Sequence, residues 1–188
     1  FSVVSNLLIL MLLSRLLEVA DFGIFGTVLT IAIFSSIICK FGLENIVLTE
    51  APRIGTSRTL LVLLIKGLLP IFGLGTAATL TLMVSLSATP VLELYFSSFQ
   101  LILYVTTFVI FLSYQFIIAE FFRARHAFLW ASLAKGGLSN IIMLVILAWF
   151  SSIDVLQQLN NEVIWLFMVV SAGSAAVLLT LVLFRMQW

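Results

Sequence analysis

Three lysines lie within long apolar stretches, at similar distances from charged residues in the connecting loops. Each is eight to ten positions from such a residue: Lys40 from Glu50, Lys66 from Arg58 and Lys135 from Arg125. At the α-helical rise per residue, all three lie at a depth of roughly 12–15 Å. Ionisable groups inside a membrane are costly and mark either a pathway or an ion pair. The pattern predicts a cationic cavity that attracts a phosphate or pyrophosphate; the alternative is that each ammonium snorkels toward the lipid headgroups.

Two carboxylates lie near these cations in the sequence. Glu44 follows Lys40 by four residues, so the two side chains would share one helix face. One interpretation is a local ion pair that neutralises both charges, and the other is a proton or cation site that couples ion movement to transport. Glu120 and Arg123 have a similar spacing, and we expect them to form a solvated pair at a helix end.

Helix-breaking residues interrupt two of the apolar stretches. Pro70 and Gly73 lie in one stretch, and Gly136 and Gly137 directly follow Lys135 in another. Proline removes a backbone donor and kinks a helix, and interrupted membrane helices are the best sequence pointer to a transport site. We therefore predict helix breaks, with a role in gating, at these four positions.

The elements that position these residues are predicted to be membrane helices. The 188 residues are 63% hydrophobic and only 9% charged, whereas a soluble domain carries about 25% charged residues. The apolar runs are continuous, unlike the short alternating segments of a β-barrel, and most approach the ~20 residues that cross a bilayer. We predict an all-α polytopic membrane bundle of six transmembrane helices, at about 1–15, 23–49, 60–86, 95–119, 127–150 and 163–184. Small residues at 171–176 predict close helix packing in the last span.

The loop charges predict an orientation in the membrane. Basic residues are concentrated in the second and fourth connections: Arg53, Arg58, Arg123 and Arg125. The positive-inside rule places these loops and both chain ends of the multi-pass chain in the cytoplasm. Because the chain begins at Phe1 inside an apolar run, we expect it to be a fragment truncated at both ends.

Residues typical of enzyme active sites are scarce. His126 is the single histidine and Cys39 the single cysteine, which excludes a multi-histidine metal site and a disulfide within the chain. The sequence contains neither a Gly-rich phosphate loop nor a nucleophile-elbow motif. We expect no enzymatic activity, no cofactor, no metal and no nucleic-acid partner.

Three segments resemble polysaccharide flippases of the multidrug/oligosaccharidyl-lipid/polysaccharide exporter superfamily. Residues 14–26 resemble the first loop and the start of the second span, and residues 41–53 the end of that span. Residues 121–128 resemble the fourth, cytoplasmic connection. The order and spacing of these segments, together with the topology, carry the resemblance.

The resemblance implies a two-lobed transporter in which this chain, residues 1–188, is the amino-terminal six-helix lobe. Such proteins flip lipid-linked oligosaccharides, the repeat units of polysaccharides and lipopolysaccharides, across the bacterial inner membrane by alternating access. The implied partners are membrane lipid, the lipid-linked substrate and a carboxy-terminal lobe of the same polypeptide. In this interpretation Lys40, Lys66, Lys135 and Arg15 face the pyrophosphate; the lysines are chosen for their depth, and Arg15 lies in a matched segment.

Other functions fit the same pattern of spans. A drug exporter of the same superfamily would use a carboxylate, most plausibly Glu44, to couple H⁺ or Na⁺ to transport. A membrane-embedded glycosyltransferase or ligase would need a long outer loop, and the outer loops here are short. A membrane scaffold that transports nothing is the remaining alternative.

Overall fold

The computed structural model describes residues 2–40, 43–53, 99–151 and 161–186, with eight single positions between 62 and 81. Every regular element in these residues is helical, which confirms the prediction of an all-α chain for this part of it. The eight single positions are also helical, but the bounds of the predicted span 60–86 lie outside the described residues.

Seven α-helices are present in the described residues. They are α1 Ser2–Leu16, α2 Val19–Cys39, α3 Leu43–Glu50, α4 Phe99–Ala124, α5 Phe128–Ser132, α6 Leu138–Ser151 and α7 Asn161–Arg185. A 3₁₀ turn, Ala51–Arg53, follows α3, and a π-type turn, Leu133–Gly137, joins α5 to α6.

Four helical stretches in the described residues are long and apolar enough to cross a membrane: Val19–Cys39, Gln100–Ala124, Phe128–Phe150 and Glu162–Arg185. They correspond to the predicted second, fourth, fifth and sixth spans. The first predicted span is helix α1, which is apolar but has only 15 residues, or about 22 Å of helix. The chain is therefore a helical membrane protein, with four of its six predicted spans described at sufficient length.

The surface of the helices suits a lipid environment. Large apolar side chains point outward, among them Phe34, Trp149 and Leu181, each more than half exposed. Polar side chains are buried instead, including Gln115 and Glu120. Because a soluble protein rarely exposes large contiguous apolar areas, this distribution agrees with outward faces that contact lipid.

Helix α4 lies at the centre of the bundle. It packs against α7 most extensively, and also against α2, α3 and α5, while α1 packs against α6. Trp165 of α7 is buried between Phe25 of α2 and Phe108 of α4, with ring centroids 5.5 and 5.7 Å away. This aromatic cluster joins the three longest helices.

Small residues allow α4 and α7 to approach closely, as predicted for 171–176. A side chain at Gly173 would place its Cβ 3.2 Å from the ring of Phe111. One residue earlier, the carbonyl of Ala172 accepts a hydrogen bond of 2.7 Å from Nε2 of the buried Gln115. A larger residue at either position would separate the two backbones.

The prediction of one continuous helix over 23–49 is wrong. Helix α2 ends at Cys39, and Lys40 leaves the helical conformation with φ −92° and ψ 7°. The amide of Leu43 then donates to the carbonyl of Lys40 at 2.9 Å, and α3 begins as a separate helix. The segment after the break is less apolar than α2, since Leu43–Glu50 contains two glutamates and an asparagine.

The charged connection between the predicted spans 95–119 and 127–150 is also shorter than expected. Helix α4 continues to Ala124, and His126 adopts a left-handed conformation with φ 59°. His126 donates to the carbonyl of Arg123, and Ala127 to that of Phe122, at 3.0 and 2.9 Å. These two bonds form a Schellman cap, in which glycine is the usual residue at the left-handed position.

Candidate functional site

The predicted fifth span is interrupted at Lys135. This residue has ψ 38° and Gly136 has φ 94°, so both leave the helical conformation. Only glycine adopts such a positive φ without steric cost. The backbone at Gly137 passes close to the carbonyl oxygen of Ser132, since a Cβ at this position would lie 3.2 Å from that oxygen. The two glycines thus accompany a break that places Lys135 between two helical segments.

Lys135 lines a cavity of about 240 Å³ between α1, α2, α4, α6 and α7, which we call the central cavity. Apolar residues form the wall on α2 and α4. The polar lining residues are Asn6, Lys135, Ser139, Asn140 and Ser171. Such a cavity is smaller than the ~300–1,000 Å³ of drug-sized ligand pockets, and its size suits a phosphate or pyrophosphate group.

Hydrogen bonds hold the polar side of the central cavity in place. Ser139 donates from Oγ to the carbonyl of Gly136 at 3.1 Å and so supports the helix break. Asn140 donates from Nδ2 to Oγ of Ser5 at 3.4 Å, which links α6 to α1. Its amide therefore lies where two helices meet at the edge of the cavity.

Glu120, Arg123 and Lys135 form an ion-pair cluster around one buried carboxylate, which we call the carboxylate cluster. The Glu120 side chain is only 2% exposed. Its Oε1 lies 2.9 Å from Nζ of Lys135, and its Oε2 lies 3.0 Å from Nη1 of Arg123. Among the described residues Oε2 accepts no well-aligned hydrogen bond, so the Arg123 contact is a charge interaction with little directional constraint.

The predicted Glu120–Arg123 pair is present, but the prediction that it is solvated is wrong for Glu120. Glu120 is buried because α4 continues past it and packs against α5 and the following turn. The carboxylate also has a second partner, Lys135, which is fifteen positions away in the sequence. A buried carboxylate needs such compensation, because an unpaired charge in a medium of low dielectric constant is costly.

Lys40 lies behind the wall of the central cavity. Its ammonium is 2.8 Å from Oε1 of Glu44 and 3.9 Å from the ring centroid of Phe116, a lining residue of the cavity. The ion pair joins the end of α2 to the start of α3, rather than lying along one helix as the four-residue spacing suggested. Lys40 therefore contacts the cavity wall through a cation–π interaction.

The other predicted site residues lie elsewhere. Lys66 is an exposed helical residue and does not line the central cavity. Arg15 is exposed and lines a separate cavity of about 190 Å³ between α1 and α6. Gly73 is exposed and helical, and Pro70 lies outside the described residues. Of the three lysines predicted to share one cavity, Lys135 is the one that lines it.

Several polar residues of the site were missed by sequence reasoning. Asn6 and Ser139 belong to the Ser-Asn pairs 5–6 and 139–140 within apolar stretches, and these pairs are the feature that could have identified them.

The arrangement is suited to binding an anion. Lys135 and the amide-bearing Asn6 and Asn140 line one small cavity, and a charge-assisted hydrogen bond from an ammonium to a phosphate oxygen is stronger than a neutral one. In the described part of the chain, no group of three His, Cys, Asp or Glu side chains could hold a metal ion. In comparisons with protein-family models, with curated proteins and with solved structures, nothing matches this chain.

Proposed function

We propose that this chain forms one lobe of an exporter that carries lipid-linked oligosaccharides across the bacterial inner membrane. In this proposal the central cavity binds the pyrophosphate that links the lipid to the sugar. The observation that carries it is the position of Lys135, at a helix break and in the wall of a polar cavity between membrane-spanning helices.

The chemistry of the central cavity favours an anionic group over a cationic drug. Lys135 is the charged residue among its described lining residues, and the side-chain amides of Asn6 and Asn140 add hydrogen-bond donors. Pyrophosphate oxygens accept such bonds, and the low dielectric constant of the surroundings strengthens the attraction. The apolar wall of α2 and α4 would accommodate the first part of the lipid chain.

The helix break supplies a basis for movement. Gly136 separates the helical segments before and after it, and discontinuous membrane helices commonly surround transport sites. Rotation at this point would move Lys135 relative to α4 and open the cavity toward one side or the other. A second lobe, facing this one, would complete the pathway for alternating access.

A coupling role for Glu44 has weaker support. Glu44 pairs with Lys40 and is absent from the described lining of the central cavity. A drug exporter driven by this carboxylate would need Glu44 to reach the substrate pathway. The geometry of the described residues therefore favours recognition of an anion at Lys135.

Binding of farnesyl pyrophosphate to the purified 188-residue chain in detergent tests this function, with isothermal titration calorimetry as the measurement. We expect Asn140→Leu to weaken binding up to about tenfold, because the cavity loses one hydrogen-bond donor. Asn45→Leu is the matched control, since Asn45 is an exposed residue of α3. Equal affinities in Asn140→Leu and in the control, or equal binding of farnesol, would contradict the proposal.

A further inference from the structure

A second cavity, of about 280 Å³, lies on the other side of Lys135. It is lined by Arg123, Phe128, Ala131, Ser132 and Lys135, and we call it the interfacial pocket. We infer that the interfacial pocket binds the phosphate group of an anionic membrane phospholipid. This site shares Lys135 with the central cavity but has otherwise different lining residues, and it would stand even if the central cavity binds no pyrophosphate.

The charge of the interfacial pocket fits one phosphate diester. Arg123 and Lys135 share the single carboxylate of Glu120, so the cluster has one net positive charge. The two cations are still reachable, because 47% of the Arg123 side chain and 34% of the Lys135 side chain are exposed. Each has further donors beyond the one that faces Glu120.

The geometry favours phosphate in particular. The guanidinium of Arg123 is a planar fork that matches phosphate oxygens, and its contact with Glu120 lacks the alignment of a hydrogen bond. It can therefore turn toward a ligand while Lys135 continues to compensate Glu120. Ser132, an exposed residue, adds a neutral donor to the lining of the pocket.

The position of the interfacial pocket favours a lipid over a phosphate ion from solution. Helix α4 has 26 residues, or about 39 Å, which exceeds the ~30 Å hydrocarbon thickness. Its last turn, with Arg123, therefore reaches the headgroup region. Phe128 in the pocket wall and the adjacent Leu129 are 64% and 70% exposed, so acyl chains would contact them. Basic pockets between membrane helices are known to bind lipid headgroups.

Native mass spectrometry of the full chain in detergent, titrated with phosphatidylglycerol or phosphatidylcholine, tests the inference. We expect one retained phosphatidylglycerol and much weaker binding of phosphatidylcholine. Arg123→Gln should weaken phosphatidylglycerol binding about tenfold, because a charge-assisted bond is lost. Ser132→Ala should weaken it about threefold and leaves all ion pairs intact, so the test holds even if the Arg123 variant folds poorly.

Two control variants distinguish lipid binding in the interfacial pocket from binding elsewhere on the chain. Arg185→Gln removes the same charge from an exposed residue at the end of α7, and it should change the affinity by less than about twofold. Asn140→Leu should leave phosphatidylglycerol binding intact, since it alters only the central cavity. The inference is overturned if Arg185→Gln weakens binding as much as Arg123→Gln, if both lipids bind equally, or if Asn140→Leu abolishes lipid binding. Complete displacement of the lipid by millimolar inorganic phosphate would instead identify a site for free phosphate and would also overturn it.

Discussion

Replacing both Arg123 and Lys135 by methionine is expected to prevent most of the protein from accumulating in a folded form. The double substitution leaves Glu120, 2% exposed, without either of its cations. Loss of compensation for a buried charge costs about 3–5 kcal/mol. A total stability of about 5–15 kcal/mol is typical of folded proteins, so the loss is a large part of it.

Neutralising the carboxylate should reverse this effect. Adding Glu120→Gln to the double variant removes the uncompensated charge, and we expect most of the folded yield and thermal stability in detergent to return. Each single methionine variant should be milder, because one cation still contacts Glu120. If the double variant is as stable as the unmodified chain, or if Glu120→Gln restores no stability, then Arg123 and Lys135 do not stabilise the fold by compensating the charge of Glu120.

Lys135→Ala is expected to reduce polysaccharide export by the native protein in its host by about ten- to a hundredfold. This range corresponds to the loss of one hydrogen bond from a charged donor. Protein abundance should stay near normal, since Arg123 still pairs with Glu120. Lys135→Arg should retain more activity than Lys135→Ala because it keeps the charge, although a planar fork differs from a point charge in shape.

The comparison with another basic residue makes the export result specific. Arg185→Ala removes an exposed charge at the end of α7 and should leave export near its normal level. Normal export in Lys135→Ala, or a loss in Arg185→Ala as large as that in Lys135→Ala, would count against a substrate contact at Lys135.

The sequence was sufficient to predict an all-α chain and four of its six apolar spans, because length and continuity of apolar runs directly reflect bilayer thickness. It also indicated Gly136 and Gly137, and the helix is interrupted there. The burial of Glu120 could not be predicted, because it depends on how α4 packs against α5. The sequence also did not indicate that α4 ends in a cap at His126, because the left-handed position of such a cap usually holds glycine.

The sequence also did not indicate how each helix is rotated about its own axis. The predicted membrane depth is similar for Lys40, Lys66 and Lys135, but residues at the same depth need not face the same cavity. In spans whose apolar residues cover the whole circumference, the sequence has no polar face that fixes the rotation. Tertiary packing therefore decided that Lys135 lines the central cavity, that Lys40 stacks on Phe116 and that Lys66 is exposed.

Protection of a cysteine in the central cavity tests most directly whether a pyrophosphate lipid binds there. Met168 lines this cavity, and Met11 lines the separate cavity beside Arg15. In a Cys39→Ala background, Met168→Cys and Met11→Cys would each be labelled with a small thiol reagent, with and without farnesyl pyrophosphate. At a ligand concentration ten times its dissociation constant, labelling of Met168→Cys should slow about tenfold, because only the free protein reacts. Farnesol should give no such protection, and Met11→Cys should react at an unchanged rate. Equal protection at both positions, or equal protection by farnesol, would contradict a pyrophosphate site at Lys135.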